Sequence, residues 1–274
     1  MQNQPIIDNI KVIVRCRPIN WMEKQTRVHK CVNCSHQMGT ITVIQPDLEQ
    51  VQTNDQQVPI YQILRTFKFN DVYDEKFANR EIYIKSIRPV VLSVCEGFNV
   101  CILSYGQIDS GKTFTMYGIP GNMGCIPNSF SCIINYFSNQ IGSQFQVKSS
   151  YFEVFNEDIR DLITNRSKLQ LKENKDRGVY IDSLSEHNCF TLMDLEHVID
   201  KGYKNKFVTA SNMGTTNLRS HTVFTIRFEH YEVNDGKKAI KKGLLNFVDL
   251  SGSLQHNNLG LSTLESVIQK LSEN

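Results

Sequence analysis

The chain has 274 residues, of which 40% are hydrophobic and 21% charged, a composition typical of a globular protein with its own core. Its 30 basic and 28 acidic residues leave a net charge of +2, which is too small to argue for nucleic acid or an anionic membrane as a partner. No apolar run reaches the ~18 residues of a membrane span, and residues 1–8 lack the apolar core of a signal peptide. We therefore expect a protein of the cytosol or nucleus, whose scattered cysteines act as small buried hydrophobes.

The first part of the chain alternates between strand and helix patterns. In chain order, the sequence predicts a strand over 10–16 that Pro18 ends, a strand over 40–44, a polar loop over 48–59, a helix over 81–97 and a buried strand over 100–105. The last of these is a compact apolar run bounded by glycines, which is typical of a central strand.

The rest of the chain continues in the same way. The sequence predicts helices beginning near Lys112 and over 126–138, a strand over 146–155, a helix over 192–202 that Gly202 ends, strands over 222–232 and 243–250 joined by a turn at 234–236, and a helix over 261–271. Internal repeats and linkers are absent from the sequence. We expect a single α/β domain over residues 9–274, preceded by a tail at 1–8.

A phosphate-binding loop is the strongest local signal. The pattern G-x-x-x-x-G-K-[ST] is matched by Gly106, Gln107, Ile108, Asp109, Ser110, Gly111, Lys112 and Thr113. Glycines let backbone N–H groups face phosphate oxygens, while lysine neutralises the phosphates and the hydroxyl binds Mg²⁺. A chance match in a surface loop is the alternative, but the strand predicted before the loop and the helix predicted after it favour nucleotide binding. Asp109 introduces a carboxylate that should weaken phosphate binding unless its side chain points outward.

Motifs along most of the chain resemble those of the kinesin superfamily. The loop lies within YGQIDSGKTFTM, residues 105–116, which is similar to YGQTGSGKTxTM in that family. The other matches are RCRP at 15–18, FKFNDV at 67–72, GFN at 97–99, GCIP at 124–127, YFEVFNE at 151–157, RDL at 160–162, RSH at 219–221 and DLSGS at 249–253. The resemblance covers nearly all of residues 9–274. It implies a P-loop NTPase-type kinesin motor fold, of class α/β, with a mainly parallel central β-sheet flanked by helices.

The same resemblance implies a site for ATP. Arg15, Arg17 and Pro18 would hold the adenine from one side, and Phe114 would stack on the other. The loop residues 106–113 would hold the phosphates.

The resemblance also implies magnesium and catalytic residues. Thr113 would bind Mg²⁺ directly, and Asp249 would hold it through a water molecule. Arg219, Ser220 and the backbone N–H of Gly252, which senses the γ-phosphate, would be the catalytic groups. Loops that move with γ-phosphate occupancy convert such chemistry into motion.

The sequence departs from the family pattern at the two switch segments. Leu218 replaces the second serine of NxxSSRSH, and Leu254 replaces the glutamate of DLAGSE. The isobutyl group of a leucine can neither bind a metal nor accept a proton. In the family the glutamate of DLAGSE pairs with the switch arginine, so with Leu254 in its place Arg219 loses its ion-pair partner. Because phosphoryl transfer depends on positioning and charge stabilisation, we expect weakened hydrolysis.

The C-terminal part of the family pattern is also shortened. Residues 254–257 are all that separate the DLSGS motif from residues 258–268, which resemble NKSLSALGNVI in the family, and the chain ends at Asn274 without the family's further central strand, last helix and neck. An open sheet edge should follow. The expectation is a fold that is incomplete at the C-terminus, either truncated or completed by a partner.

Two weaker patterns allow more than one interpretation. Four side chains of the kinds that bind zinc lie close together in the sequence, at His29, Cys31, Cys34 and His36. They are either metal ligands or part of a variable turn after the first strand. Basic residues form two groups that could contact acidic tubulin or serve solubility, namely Lys237, Lys238, Lys241 and Lys242, and Lys168, Lys172, Lys175 and Arg177.

Two hypotheses follow from these patterns. The first is a kinesin-type ATPase of the cytoplasm and cytoskeleton, with ATP and Mg²⁺ as cofactors, microtubules as its partner, and a stalk or dimer partner that this chain does not contain. The alternative is an inactive pseudo-motor that serves as a nucleotide-binding or structural module on microtubules. Neither hypothesis includes nucleic acid or a membrane as a partner.

Overall fold

The computed structural model describes residues 10–26, 30–46, 61–139, 144–155, 157–175, 178–213, 220–234, 237–252 and 259–272. The chain divides into two compact units, Met1–Ala78 with Asn258–Asn274, and Asn79–Asn257. The single domain expected over 9–274 stays a prediction. The tail at 1–8 and the predicted loop at 48–59 lie outside the described residues.

The first unit contains two small sheets and two helices within the described part of the chain. Its elements are β1 (Ile13–Arg15), α1 (Trp21–Gln25), β2 (Val32–Ser35), β3 (Thr40–Pro46), β4 (Tyr61–Lys68), β5 (Asp71–Tyr73) and α7 (Leu259–Ser272). β1 pairs with β5 in parallel, and β2, β3 and β4 form an antiparallel sheet. The strands predicted over 10–16 and 40–44 and the helix predicted over 261–271 are confirmed, with changed ends.

The second unit carries the larger sheet and the glycine-rich loop. Its elements are α2 (Asn79–Ile82), a π-helical segment (Tyr83–Ile87), α3 (Arg88–Cys95), β6 (Asn99–Ser104), α4 (Lys112–Met116), β7 (Gly118–Ile119), β8 (Asn122–Met123), α5 (Cys125–Ser138), β9 (Gln144–Phe155), β10 (Asp158–Asp161), β11 (Leu171–Asn174), β12 (Gly178–Ile181), β13 (His187–Asn188), α6 (Leu192–Met213), β14 (His221–Asn234) and β15 (Lys237–Asp249).

The large sheet is mixed in direction. Within the described residues it has six strands, ordered β10-β9-β14-β15-β6, with β13 also paired to β9. β15 and β6 run parallel, whereas β14 pairs antiparallel with both β15 and β9. The expectation of a mainly parallel sheet is therefore wrong for the described strands, because the long β14–β15 pair is a hairpin-type antiparallel ladder. The α/β class with a central sheet and helices is confirmed.

The core of this unit contains alternate side chains of β14. Phe224, Ile226 and Phe228 are fully buried, as every second residue of a strand must be when one face is covered. The ring of Phe137 on α5 packs against Phe228, with ring centroids 4.8 Å apart. Among the described residues no helix is both long and apolar enough to cross a bilayer.

The helix α6 continues past the residue that was predicted to end it. It runs from Leu192 to Met213, so the stop predicted at Gly202 is wrong. A Cβ atom at Gly202 would lie 2.1 Å from Cδ1 of Tyr151. Glycine stands here because an aromatic ring from β9 occupies the space that a side chain would need, and not because the helix ends.

A π-helical segment interrupts the first helix of this unit. Tyr83–Ile87 lies between α2 and α3, and the N–H of Arg88 reaches the carbonyl oxygen of Tyr83. Pro89, at the start of α3, has no N–H to donate, which favours a widened turn just before it. The helix predicted over 81–97 is thus confirmed as three consecutive helical segments.

Candidate functional site

The glycine-rich loop connects the end of β6 to the start of α4, as the sequence predicts. Gly111 forms the N-cap of α4 with φ of 91°, a left-handed conformation that favours glycine. A Cβ atom built there would meet nothing within 4 Å, so the space in front of the helix is open. Asp109 also has a positive φ, 59°, and its side chain is exposed. This exposure is the arrangement in which the carboxylate should weaken phosphate binding least, although its charge still acts on the ammonium of Lys112.

The ammonium group of Lys112 bonds to the loop itself. Its Nζ donates to the carbonyl oxygens of Gly106 at 3.0 Å and Gln107 at 2.7 Å. Burial lowers the pKa of the Lys112 ammonium, while the carboxylates of Asp249 and Asp109 act in the opposite direction. These contacts close the loop over the first turn of α4.

The two expected magnesium residues lie next to each other. The hydroxyl of Thr113 donates to Oδ2 of Asp249 at 2.6 Å, and the hydroxyl of Ser104 donates to Oδ1 at 3.0 Å. Asp249 is buried at the end of β15, which pairs with β6 up to Ser104. The parallel pairing of β6 and β15 therefore brings the loop and the carboxylate together from distant parts of the sequence.

Gly252 lies directly against the loop. A Cβ atom at this position would be 2.3 Å from Cγ1 and 3.0 Å from the backbone N of Ile108. Any side chain would therefore displace the loop. This contact places the predicted γ-phosphate sensor beside the phosphate-binding residues.

A histidine joins the start of β14 to the segment after Asp249. The backbone N–H of Ser251 donates to Nδ1 of His221 at 3.2 Å. Burial, and then the nearby Lys206, lowers the pKa of His221, which favours the neutral ring that can accept this bond. The neighbouring Ser220 is buried, and its hydroxyl has no hydrogen-bond partner within the described part of the chain. Sequence reasoning used His221 only as part of a motif and missed this bond.

A small cavity adjoins Thr113 and Asp249. It has a volume of about 150 Å³ and is lined by Thr113, Tyr117, Tyr151, Tyr203, Lys206, Thr222 and Asp249. The hydroxyl of Tyr117 donates to that of Tyr151 at 2.9 Å, and the rings of Tyr117 and Tyr203 meet edge to face at 5.1 Å. Burial raises the pKa of all three tyrosines, which keeps their hydroxyls protonated. No sequence signal marks this group, because its members lie in a loop, a strand and a helix far apart along the chain.

A buried ion pair lies on the same sheet. Arg160 and Glu153 are directly opposite each other on β10 and β9, and the guanidinium donates to Oε1 of Glu153. Both side chains are about nine-tenths buried, with 10% and 8% exposure. Oε2 of Glu153 is buried without a hydrogen-bond partner among the described residues. Both residues belong to motifs that the sequence singled out, although their pairing was not predicted.

The expected adenine residues divide between the two units. Arg15, Arg17 and Pro18 belong to the first unit, where the guanidinium of Arg17 donates to both carboxylate oxygens of Glu23, at 2.7 and 2.6 Å. The bonds from Arg17, and then the bond from the backbone N–H of Asn20, lower the pKa of the Glu23 carboxyl to about 2. Phe114 belongs to the second unit and is half-buried. The adenine contacts stay a prediction.

Three residues of the switch argument, Leu218, Arg219 and Leu254, lie outside the described residues. The roles assigned to them stay predictions from the sequence. The geometry therefore brings together the loop, Thr113, Asp249 and Gly252, but it gives no position for Arg219.

The possible zinc ligands do not form a cluster where they are described. Burial, and then the neighbouring Cys16, raises the pKa of the Cys34 thiol to about 12, and Nδ1 of His36 lies 3.0 Å from the carbonyl oxygen of Val72. In the described part of the chain no group of three His, Cys, Asp or Glu side chains could hold a metal. His29 lies outside that part. Cys34 lies within β2 and His36 in the turn that follows it, so the interpretation of the whole stretch as a turn is wrong at Cys34, and the zinc site stays a prediction.

Several of the clustered lysines have acidic partners within the second unit. Lys241 lies 3.5 Å from Glu96, Lys242 lies 3.1 Å from Glu229, and Lys172 lies 2.8 Å from Asp182. Exposed pairs of this kind contribute little to stability, but they offset the charge that each lysine presents.

Comparisons with known proteins agree with these motifs. The model of the kinesin motor domain family matches residues 15–274. The kinesin-like proteins KIF3C of Bos taurus and Pongo abelii are each 35% identical over 260 residues, which is 93% of this chain and 32% of each relative. The chain thus spans about a third of the length of the curated relatives that it matches. A solved structure described as "Structure of a fast kinesin: Implications for ATPase mechanism and interactions with microtubules" matches with a TM-score of 0.78 and 31% identity, over 94% of this chain and 70% of that chain.

Proposed function

Because the chain belongs to the kinesin motor domain family, we propose that it binds ATP with Mg²⁺ and acts as a microtubule-based motor domain with weakened hydrolysis. The observation that carries nucleotide binding is the contact of Thr113 with Asp249, at 2.6 Å, next to the loop closed by Lys112. A hydroxyl and a carboxylate oxygen at this spacing are the hard donors that Mg²⁺ prefers. The donor set therefore fits the metal.

Each residue of the site has a role that its position supports. The N–H groups of residues 106–111 and the N-terminus of α4 would bind the phosphates, and Lys112 would move from the loop carbonyls to a phosphate oxygen. Thr113 and Asp249 would hold the metal, which supplies charge neutralisation at the phosphates when it is bound. Gly252, held against Ile108, would bring its N–H towards the γ-phosphate.

Weakened hydrolysis is supported by the sequence of the switch segments. Leu218 provides no hydroxyl and Leu254 no carboxylate at positions where the family pattern has serine and glutamate. Losing groups that position water and stabilise charge usually lowers phosphoryl transfer by orders of magnitude. The same two leucines favour the second candidate function, a pseudo-motor that binds nucleotide without turning it over.

The proposed partners and location follow from the family. Microtubules would be the track, a stalk or a second motor chain would be a further partner, and the protein would act in the cytoplasm on the cytoskeleton. Arg15, Arg17, Pro18 and Phe114 are the proposed adenine contacts, and Arg219, Ser220 and Gly252 the proposed catalytic groups.

ATP turnover by the purified chain, with and without microtubules, tests the proposal. Lys112→Ala is the inactive reference, and Lys201→Ala, which removes an exposed lysine of α6, is the matched control. Microtubule-stimulated turnover that is lost in Lys112→Ala and kept in Lys201→Ala supports a motor. Nucleotide binding with turnover no higher than that of Lys112→Ala supports the pseudo-motor. Failure to bind nucleotide contradicts both functions.

A further inference from the structure

A tyrosine ends the short helix that carries Thr113. The helix α4 has five residues, and Tyr117 is its C-cap, whose backbone N–H donates to the carbonyl oxygen of Thr113 at 2.9 Å. A helix of this length is not stable by its own hydrogen bonds, so its orientation depends on contacts with the rest of the fold. Because residues four apart lie on one face of a helix, whatever holds Tyr117 also orients Thr113.

Two backbone carbonyls at the end of α4 are held by neighbouring segments. The side-chain amide of Asn79 on α2 donates to the carbonyl oxygen of Phe114 at 3.3 Å. The N–H of Gly124, just before α5, donates to the carbonyl oxygen of Tyr117 at 3.0 Å. Both bonds join α4 to its helical neighbours, and neither joins it to the strands of the large sheet.

The side chain of Tyr117 makes the connection to the large sheet. Its hydroxyl donates to the hydroxyl of Tyr151 at 2.9 Å, and Tyr151 lies on β9. β9 pairs with β14, and β14 with β15, the strand that ends at Asp249. The bond therefore joins the helix that carries one proposed metal ligand to the sheet that carries the other.

Tyr151 is a rigid point of attachment. Its ring is buried against α6, where a Cβ atom at Gly202 would lie 2.1 Å from Cδ1 of the ring. The ring also meets that of Phe224 edge to face, with centroids 5.4 Å apart. The hydroxyl of Thr222 on β14 bonds to that of Tyr151 as well. A side chain locked by packing and by a second hydrogen bond can fix the position of the group that it holds.

We propose that Tyr117 is a positioning residue, which holds α4 against the sheet through Tyr151 and so keeps the hydroxyl of Thr113 in place for binding Mg²⁺. The inference rests on the proposed nucleotide site. It assigns a role in metal binding to a residue outside the phosphate-binding loop.

The physical reason lies in the spacing of the two proposed metal ligands. The hydroxyl of Thr113 is 2.6 Å from Oδ2 of Asp249, so both oxygens face the same point. Without the bond from Tyr117 to Tyr151, α4 can rotate about its axis and carry this hydroxyl away from the carboxylate. The N–H groups of residues 106–111 precede α4 and keep their contact with the phosphates. Tyr117 therefore acts on the binding of the metal more than on that of the phosphates.

Equilibrium binding of a fluorescent ADP, in EDTA and over a range of MgCl₂ concentrations, tests this role. Tyr117→Phe removes only the hydroxyl and keeps the edge-to-face contact with Tyr203. The MgCl₂ concentration at half-maximal binding should rise by about fivefold, as the loss of one buried hydrogen bond that supports a metal ligand predicts. The affinity in EDTA should stay that of the wild type, which a general structural defect would not allow.

Two further variants show whether the hydroxyl acts through Tyr151. Tyr151→Phe removes the acceptor and should also raise the half-maximal MgCl₂ concentration. In the double variant Tyr117→Phe should add no further increase, because the bond is already lost. Tyr203→Phe removes a hydroxyl from the wall of the same cavity without touching this bond, and is the matched control that should follow the wild type. Thermal unfolding checks that each variant is folded.

The outcomes distinguish this inference from the proposed function. If the wild type binds fluorescent ADP but Tyr117→Phe keeps its MgCl₂ dependence, the role of Tyr117 is overturned and the nucleotide site stands. An equal loss of affinity with and without MgCl₂, or an additive effect in the double variant, overturns it as well. If the wild type binds no fluorescent ADP at any MgCl₂ concentration, the proposed function fails and the inference fails with it.

Discussion

Gly252 and Ile108 are in such close contact that a methyl group on the glycine would lie 2.3 Å from Cγ1 of the isoleucine. The segment after β15 and the phosphate-binding loop are therefore in direct contact, and a shift of the loop towards Gly252 would displace that segment. Contact of this kind is one way in which occupancy of a loop can be transmitted to a neighbouring segment.

Gly252→Ala should weaken nucleotide binding by roughly tenfold, because the added Cβ must displace the loop that holds the phosphates. Titration with a fluorescent ATP analogue measures the effect. Ile108→Ala in the same chain removes the nearer of the two clashing atoms and should restore part of the affinity. If the double variant is as weak as Gly252→Ala, contact with the isoleucine side chain is not the cause.

Leu218→Ser combined with Leu254→Glu should raise ATP turnover at least about tenfold, because the hydroxyl and carboxylate groups of the family pattern return to the switch segments. Microtubule-stimulated turnover is the measurement. Leu218→Ala with Leu254→Gln introduces side chains close in size to serine and glutamate but restores neither the hydroxyl nor the carboxylate, and should stay near the wild type. Equal rates in the two double variants would contradict the proposed cause of weak hydrolysis.

Gly202→Ala should destabilise the protein by about 1–3 kcal/mol, although alanine is the better helix former by about 1 kcal/mol. The new Cβ would meet the ring of Tyr151 at 2.1 Å, and this clash outweighs the gain in helix propensity. Urea denaturation measures the free energy of unfolding. Asp200→Ala, at an exposed position of the same helix, should change it by no more than about 0.5 kcal/mol. A more stable Gly202→Ala would show that the ring moves aside easily.

Asp161 should make the free energy of unfolding depend on pH in the acid range. Burial favours its neutral form, but bonds from Ser185 and Thr164 outweigh burial and lower the pKa of the carboxyl. A lowered pKa stabilises the folded state above the ordinary aspartate pKa of about 4, and this stabilisation is lost as pH falls through the folded value. Asp161→Asn should lose about 1–3 kcal/mol at neutral pH and show a flatter dependence below about pH 4.

Denaturation of both proteins across this pH range is the measurement for Asp161. Asp158→Asn, which changes an exposed carboxyl at the start of β10, is the matched control and should follow the wild type. Parallel curves for Asp161→Asn and the wild type would contradict the role given to the buried carboxyl.

The sequence predicts the loop and its setting well, because these depend on local pattern. An apolar run followed by Gly106–Thr113 identifies the strand, the turn and the start of α4 without knowledge of distant contacts. The loop prediction rests on residues whose chemistry is required at a fixed spacing. Asp249 is assigned to the site only by the resemblance of the DLSGS motif to the kinesin family.

Features that depend on tertiary contact are missed. The sequence predicts a helix stop at Gly202, but in the structure this is where the ring of Tyr151 on β9 packs against α6. The pairing of Tyr117 with Tyr151 and of Ser251 with His221 joins elements that are far apart along the chain. Propensity carries no information about such pairs, because they form only when the sheet has brought the elements together.

The bonds from Lys112 to the carbonyls of Gly106 and Gln107 make anion capture an exchange reaction. An anion that takes over both of these N–H donors replaces two charge-assisted bonds, each contributing about 1.5 kcal/mol or more. A weakly basic monoanion such as chloride offers too little in return, whereas a polyphosphate presents several oxygens to the ammonium and the loop N–H groups at once. The bonds of Lys112 thus disfavour the binding of small monoanions such as chloride at the loop, and favour polyphosphates over them.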